Sequence, residues 1–142
     1  MDEKIVHQIR NFNRNYVRTI GLLENTILNS GYSLTEAHIL NEVISQPDST
    51  ATIINKELKL DEGYLSRVIK RLISKSLITK KQSPTDKRVY VINPTDKGKT
   101  EYQKLDILSS KMVINNIDHL KQEEQLELVA LLDRVQLLLK KQ

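Results

Sequence analysis

The chain of 142 residues has no cysteine and no tryptophan, and aromatic residues make up only 4% of it. Without cysteine there are no disulfides, no thiol nucleophile and no thiol-based oxidant sensor, although the redox compartment stays open. With few aromatics, apolar burial must come from leucine and isoleucine, a balance that suits helices and argues against an all-β sandwich. Apolar runs are only a few residues long, and Met1-Asp2-Glu3-Lys4 carries acids with no apolar stretch behind it. Neither a signal peptide nor a membrane span is expected, and the cytoplasm is the default location.

Reactive constellations are also lacking. His7, His38 and His119 lie far apart and match no His-x-x-x-His or cysteine spacing, so they read as ordinary structural or surface histidines, and no metal or other cofactor is expected. Glu123, Glu124 and Glu127 sit in a leucine-rich stretch and read as a solvated face, not as paired catalytic carboxylates. There is no Ser-His-Asp order, glycine-rich phosphate loop or nucleophile elbow, and an enzyme is not expected.

What is present is an ordinary globular composition, 39% hydrophobic and 28% charged, with a length that fits one domain over residues 1–142. The charge is uneven. Between Tyr64 and Arg88 eight basic residues face one acid, Asp86, a net +7; the whole chain carries +4, so the remainder nets −3. A charge run alone is ordinarily a solvated face, and its meaning depends on the elements that carry it.

Apolar residues at Ile5, Ile9, Phe12, Tyr16, Ile20, Leu23 and Ile27 step by three and four, predicting a helix through Leu28 that stops at Asn29-Ser30-Gly31. A second helix starts at a Thr35 cap and closes at Pro47-Asp48. A short third runs from Thr50 or Thr52 to Leu58, and a fourth of about 14 residues runs from Asp61 to near Lys75. The period then changes to two: Leu77–Lys81 and Arg88–Ile92 read as strands around a polar loop. Pro94-Thr95 opens a fifth helix through Tyr102, Leu105, Leu108 and Met112 toward Leu120, and the last begins near Gln122. The fold class expected is mainly α with a small two-stranded β-wing: a winged helix-turn-helix lobe over 34–93, with dimerisation helices at 1–30 and 95–142.

The fourth helix offers Leu65, Val68, Ile69, Leu72 and Ile73 as an anchoring face and Tyr64, Ser66, Arg67, Lys70 and Arg71 as a displayed one. A helix of this width enters the major groove, where an arginine can bond two guanine acceptors at once. Arg67 is the first candidate base reader and Arg71 the second. Thr52 on the helix before it joins the DNA-contacting set. Lys80, Lys81, Lys87 and Arg88 on the hairpin suit phosphates or the adjacent minor groove. Asp86 would repel phosphate if free, and it is expected to pair with Arg88 and shape the wing. The first, fifth and sixth helices are too apolar for a lone domain to cover, which implies a homodimer presenting two such helices to a palindromic site.

Leu34-Thr35-Glu36-Ala37-His38-Ile39-Leu40, the run from Leu60 to Leu72, Leu77-Ile78, Asp86-Lys87-Arg88 and Thr95-Asp96-Lys97-Gly98 resemble, in order and spacing, the MarR (multiple antibiotic resistance regulator) family. The resemblance implies a triangular dimer built from the terminal helices, a winged lobe in each subunit, and repression relieved by a small ligand bound between lobe and dimer core. Phe12-Asn13-Arg14-Asn15-Tyr16 together with Asp61 to Arg67 is similar to a subgroup often fused to an acetyltransferase domain, which is absent from this sequence. Two positions depart from the family pattern: Ser76 stands where glycine usual follows the recognition helix, and Asn93-Pro94 replaces an apolar residue before Thr95. Phe12, Tyr16 and His38 are candidates for an effector pocket suited to small aromatic or phenolic molecules, with core packing as the alternative. Two other functions fit: the regulatory half of an acetyltransferase fusion, and a basic protein-interaction module.

Overall fold

A computed structural model describes residues 1–22 and 27–140. In chain order the elements are α1 (Glu3–Thr19), a 3-10 turn (Ile27–Asn29), α2 (Leu34–Ser45), α3 (Ala51–Leu58), α4 (Glu62–Ser74), β1 (Ile78–Gln82), β2 (Tyr90–Pro94), α5 (Asp96–Ile117) and α6 (Gln122–Leu139). The mainly helical architecture with one two-stranded antiparallel sheet is the expected fold class. The chain divides into two compact units, 1–109 and 110–142.

In the first unit, Ile39, Leu40 and Val43 from α2, Ile54 from α3, and Leu65, Val68, Ile69 and Leu72 from α4 form a closed core with Leu77, Ile78 and Ile92 at the root of the hairpin. Eleven side chains no more than 3% exposed make this the part of the molecule with real apolar burial. The anchoring face predicted for α4 is thus confirmed except for Ile73, which is 37% exposed. In the second unit the Gln125 side chain donates to the carbonyls of Ile117 (3.3 Å) and Leu120 (3.0 Å), closing the turn between α5 and α6. Neither α1 nor α6 buries any described residue. Among the described residues no helix is long and apolar enough to cross a membrane.

Boundaries moved where local chemistry overrode periodicity. The first helix stops at Thr19, well short of Leu28: Gly21, at φ +71°, lets its N–H reach the Arg18 carbonyl and the Leu22 N–H reach that of Val17. This paired 6→1 and 5→2 closure is the usual glycine stop, and the apolar stripe simply runs past it. Of the stripe's last members, Leu23 lies outside the described residues, as does the side chain of Ile27. Ser33, not Thr35, caps α2: its hydroxyl accepts from the Glu36 N–H at 3.1 Å, and Glu36 returns a bond to the Ser33 N–H at 3.3 Å. Both strands start one or two residues later than their period suggests, and α5 ends at Ile117.

Ser76 closes α4 by the same geometry as Gly21 does α1. Its N–H reaches the Ile73 carbonyl (2.9 Å) and the Leu77 N–H that of Leu72 (3.0 Å), with Ser76 itself at φ +60°. A side chain in this left-handed conformation is strained by about 1 kcal/mol relative to glycine. Thr95 then caps α5, its hydroxyl accepting from the Gly98 N–H at 2.9 Å. At Gly98 a Cβ would stand 2.0 Å from the Leu77 carbonyl oxygen, so only glycine lets α5 start this close to the hairpin root.

Candidate nucleic-acid interface

The helix-turn-helix is shaped by polar side chains that hydrophobic patterning does not disclose. Asn55 in α3 accepts from the Leu60 N–H (2.7 Å) and donates to the Leu60 carbonyl (2.9 Å), fixing the turn that leads into α4. Asp61 caps α4 by accepting from the Tyr64 N–H at 2.9 Å. With its inner face sealed into the core, α4 presents Ser66, Arg67, Lys70 and Arg71, all exposed, on the outside.

Arg71 stands exposed toward the end of α4 and outside the groove, and the other expected contact residues fall into three groups. Thr52, Ser66, Lys70 and Lys80 line one groove of about 880 Å³ between α3, α4 and the hairpin, with Ile53, Ile73 and Tyr90 also among its lining residues. Arg67 lies toward the first turn of α4, where its guanidinium approaches Gly63 and stands 6.0 Å from the centre of the Tyr64 ring. Tyr64 itself is half-buried and its hydroxyl is 3.4 Å from Thr35 Oγ1, so it sits beneath the displayed face as a support for Arg67. Lys81, Lys87 and Arg88 are exposed along the hairpin and its tip.

The hairpin is held in shape as its composition suggests. Asp86 accepts from the Arg88 backbone N–H at 3.0 Å and from its guanidinium at 3.2 Å. These two donors, the backbone one foremost, hold the Asp86 carboxyl below the usual carboxylate range. The pairing leaves the Arg88 side chain 91% exposed and neutralises the loop's lone acid. Lys80 is drawn back over the Tyr90 ring, 5.5 Å from its centre, which turns it toward the groove.

At its other end α4 is tied to its neighbours. Lys75 Nζ lies 2.6 Å from Glu36, a side chain almost fully buried at the start of α2, and 5.1 Å from the Tyr32 ring. Burial alone would raise the Glu36 carboxyl, but the Lys75 ammonium and the Ser33 donors outweigh it and hold the group below its ordinary value. Lys97 of α5 donates to the Lys75 carbonyl at 3.0 Å, a cation on a helix C-terminus. The Phe12 and Tyr16 rings stack 5.3 Å apart and 13° from parallel on α1, while His38 stands exposed on α2. None of these three lines the groove.

Residues 32–90 match the model of the MarR family. Over 106 residues the chain is 33% identical to the HTH-type transcriptional regulator MgrA of Staphylococcus aureus, covering 73% of this chain and 71% of that protein. The chain belongs to the MarR family. Its fold superposes on that of FabT from Streptococcus pneumoniae, a structure solved in complex with DNA, with a TM-score of 0.75, 22% identity and 96% of each chain covered. PcaV from Streptomyces coelicolor, solved with its natural ligand, gives a TM-score of 0.67 at 23% identity over 91% of this chain and 89% of PcaV. The MarR motifs now have physical content. Thr95 and Gly98 permit the close start of α5, and Asp86 with Arg88 forms the wing's internal pair. The serine at position 76 is the left-handed residue just after the Lys75 C-cap.

Proposed function

We propose that this MarR-family chain is a transcriptional repressor that binds a palindromic DNA site sequence-specifically as a homodimer in the cytoplasm, and that a small ligand releases it. It performs no catalysis in this reading. The observation that carries it is the two-sidedness of α4: one face is sealed in the core and the other displays Ser66, Arg67, Lys70 and Arg71 to solvent. Such a helix is rigid enough to read base edges, and the cations of the hairpin add phosphate contacts that position it. FabT and PcaV support the reading as neighbours in fold, one solved with DNA and the other with a ligand.

Homodimerisation accounts for the apolar side chains that α1 and α6 leave uncovered, among them Ile9, Phe12, Leu126, Val129 and Leu131, each more than half exposed. Two-fold symmetry then sets two α4 helices about 34 Å apart, one turn of B-DNA. The effector in this reading is a small aromatic or phenolic molecule, with the Phe12–Tyr16 stack and His38 as its candidate contacts; a Tyr16→Ala protein released from DNA at an unchanged ligand midpoint refutes that placement.

The division of labour between reader and anchor is tested by two substitutions. Arg67→Ala should cost about 1 to 3 kcal/mol of binding and relax preference at one base pair. Lys81→Ala should weaken all sequences alike and lower the salt slope by about 1. Identical behaviour of the two variants in titrations of selected and scrambled duplexes would contradict the assignment.

A further inference from the structure

The hairpin is joined to the helix-turn-helix along one edge by a contact that sequence pattern does not announce. Asp48, between α2 and α3, donates its backbone N–H to Asn93 Oδ1 at 2.9 Å, and Asn93 Nδ2 donates back to Asp48 Oδ1 at 2.8 Å. The next pair along, Ser49 and Ile92, forms an isolated antiparallel bridge, the Ile92 N–H reaching the Ser49 carbonyl at 2.6 Å. Ser49 is 2% exposed and Ile92 fully buried. Asp48 is held at φ +56°, a conformation that a non-glycine residue keeps only where its surroundings impose it. Asn93 belongs to the Asn93-Pro94 pair that departs from the family pattern, and here its amide has a specific partner 45 positions away.

We propose that the Asp48–Asn93 pair is a positioning element that sets the pitch of the wing relative to α4, so that the wing cations and the recognition helix meet DNA in register. The proposal rests on the DNA-binding reading above. Its physical basis is leverage. The strand from Asn93 to Tyr90 rises about 10 Å and the turn carries Arg88 beyond its end, so a 15° swing at the root displaces the tip by roughly 3 Å, about the length of a phosphate hydrogen bond. Ile78 and Ile92 anchor the root in the core, and the Ser49–Ile92 backbone bond fixes one point on its edge, about which the hairpin can still turn. The reciprocal amide–carboxylate pair, which satisfies a donor and an acceptor on each side, supplies the angular constraint.

The pair can be exchanged without loss of its bonds: in the double variant Asp48→Asn, Asn93→Asp the carboxylate at 93 accepts both from the backbone N–H at 48 and from the new amide. The single variant Asn93→Asp sets two carboxylates face to face. Binding to a duplex selected by the wild type, measured from low to moderate salt, should fall about tenfold for Asn93→Asp, with the log–log salt slope reduced by roughly 2 as wing phosphates are lost. The exchange variant should return to within about twofold of wild type in both quantities. A simple loss of stability would not change the salt slope of the folded fraction. If Asn93→Asp does not fold, Asn93→Leu, which opposes no like charges, carries the same comparison. Wild-type affinity and slope in the single variant at Asn93, or an exchange variant no better than that single variant, would overturn the positioning role while leaving DNA binding intact. A wild-type chain that ignores duplex DNA would instead remove the reading on which it rests.

Discussion

The winged lobe and the terminal helices are built from much the same residues but use them differently. In the lobe, leucine, isoleucine and valine converge from α2, α3, α4 and both strands and disappear from solvent. In α6 an equally apolar sequence, with Leu131, Leu137, Leu138 and Leu139 each at least 56% exposed, buries nothing within the described chain. The lobe is therefore closed as a single copy, whereas the terminal helices carry apolar surface that only a further surface can remove from water. Disturbance of the lobe should appear as lost folding at any concentration; disturbance of the terminal helices should appear as lost association.

The largest effect on the lobe is expected from Gly98→Ala. Its new Cβ meets the Leu77 carbonyl oxygen at 2.0 Å, a backbone atom that cannot swing aside, so urea unfolding should show a loss of about 3 kcal/mol, independent of protein concentration. On the other side of the comparison, Leu131→Glu should weaken self-association by about 2 kcal/mol for each copy while leaving the urea midpoint of the lobe, followed in the full chain through hydrogen exchange of its core amides, nearly unchanged. Sedimentation over a range of concentrations checks this, and equal loss in both assays would erase the distinction. Ser76→Gly should work in the opposite direction, raising stability by about 1 kcal/mol as the left-handed residue that follows the C-cap of α4 is relieved.

The smallest effect concerns pH. The Glu36 carboxyl lies below its unfolded value, so its contribution to stability is complete above the ordinary carboxylate range and is lost as pH falls through the lowered folded value. Glu36→Gln should flatten the acid side of the stability profile, with the difference from wild type vanishing at the lowest pH. A profile of unchanged shape would show that Lys75 and Ser33 contribute nothing through this group.

Much of this architecture was legible in the sequence because each apolar position in the lobe has one period and one destination. Leu65, Val68, Ile69 and Leu72 mark α4 and its buried face without ambiguity, and Asp86 two residues before Arg88 marks a local pair. The helix stops were harder to read. Gly21 stops α1 although the apolar stripe continues, because backbone geometry at one residue outweighs a periodic pattern. Ser33 outcompetes Thr35 as a cap because it is the one placed three residues before Glu36. Contacts between segments remote in sequence, Asn93 with Asp48 and Lys75 with Glu36, have no periodic signature, and neither does the turn from half-buried Tyr64 to Arg67. Period alone places Ile73 in the core, yet it is 37% exposed and lines the groove.

In the proposed function a sealed helix displaying arginine and lysine, doubled by symmetry, grips duplex DNA. Its most direct test is to measure the mass of the complex formed by the purified chain with a selected palindromic duplex, and the affinity as salt is raised. Two chains per duplex and an affinity that falls steeply with salt are expected; a monomer that binds no duplex even in dilute buffer would rule out this mode of binding.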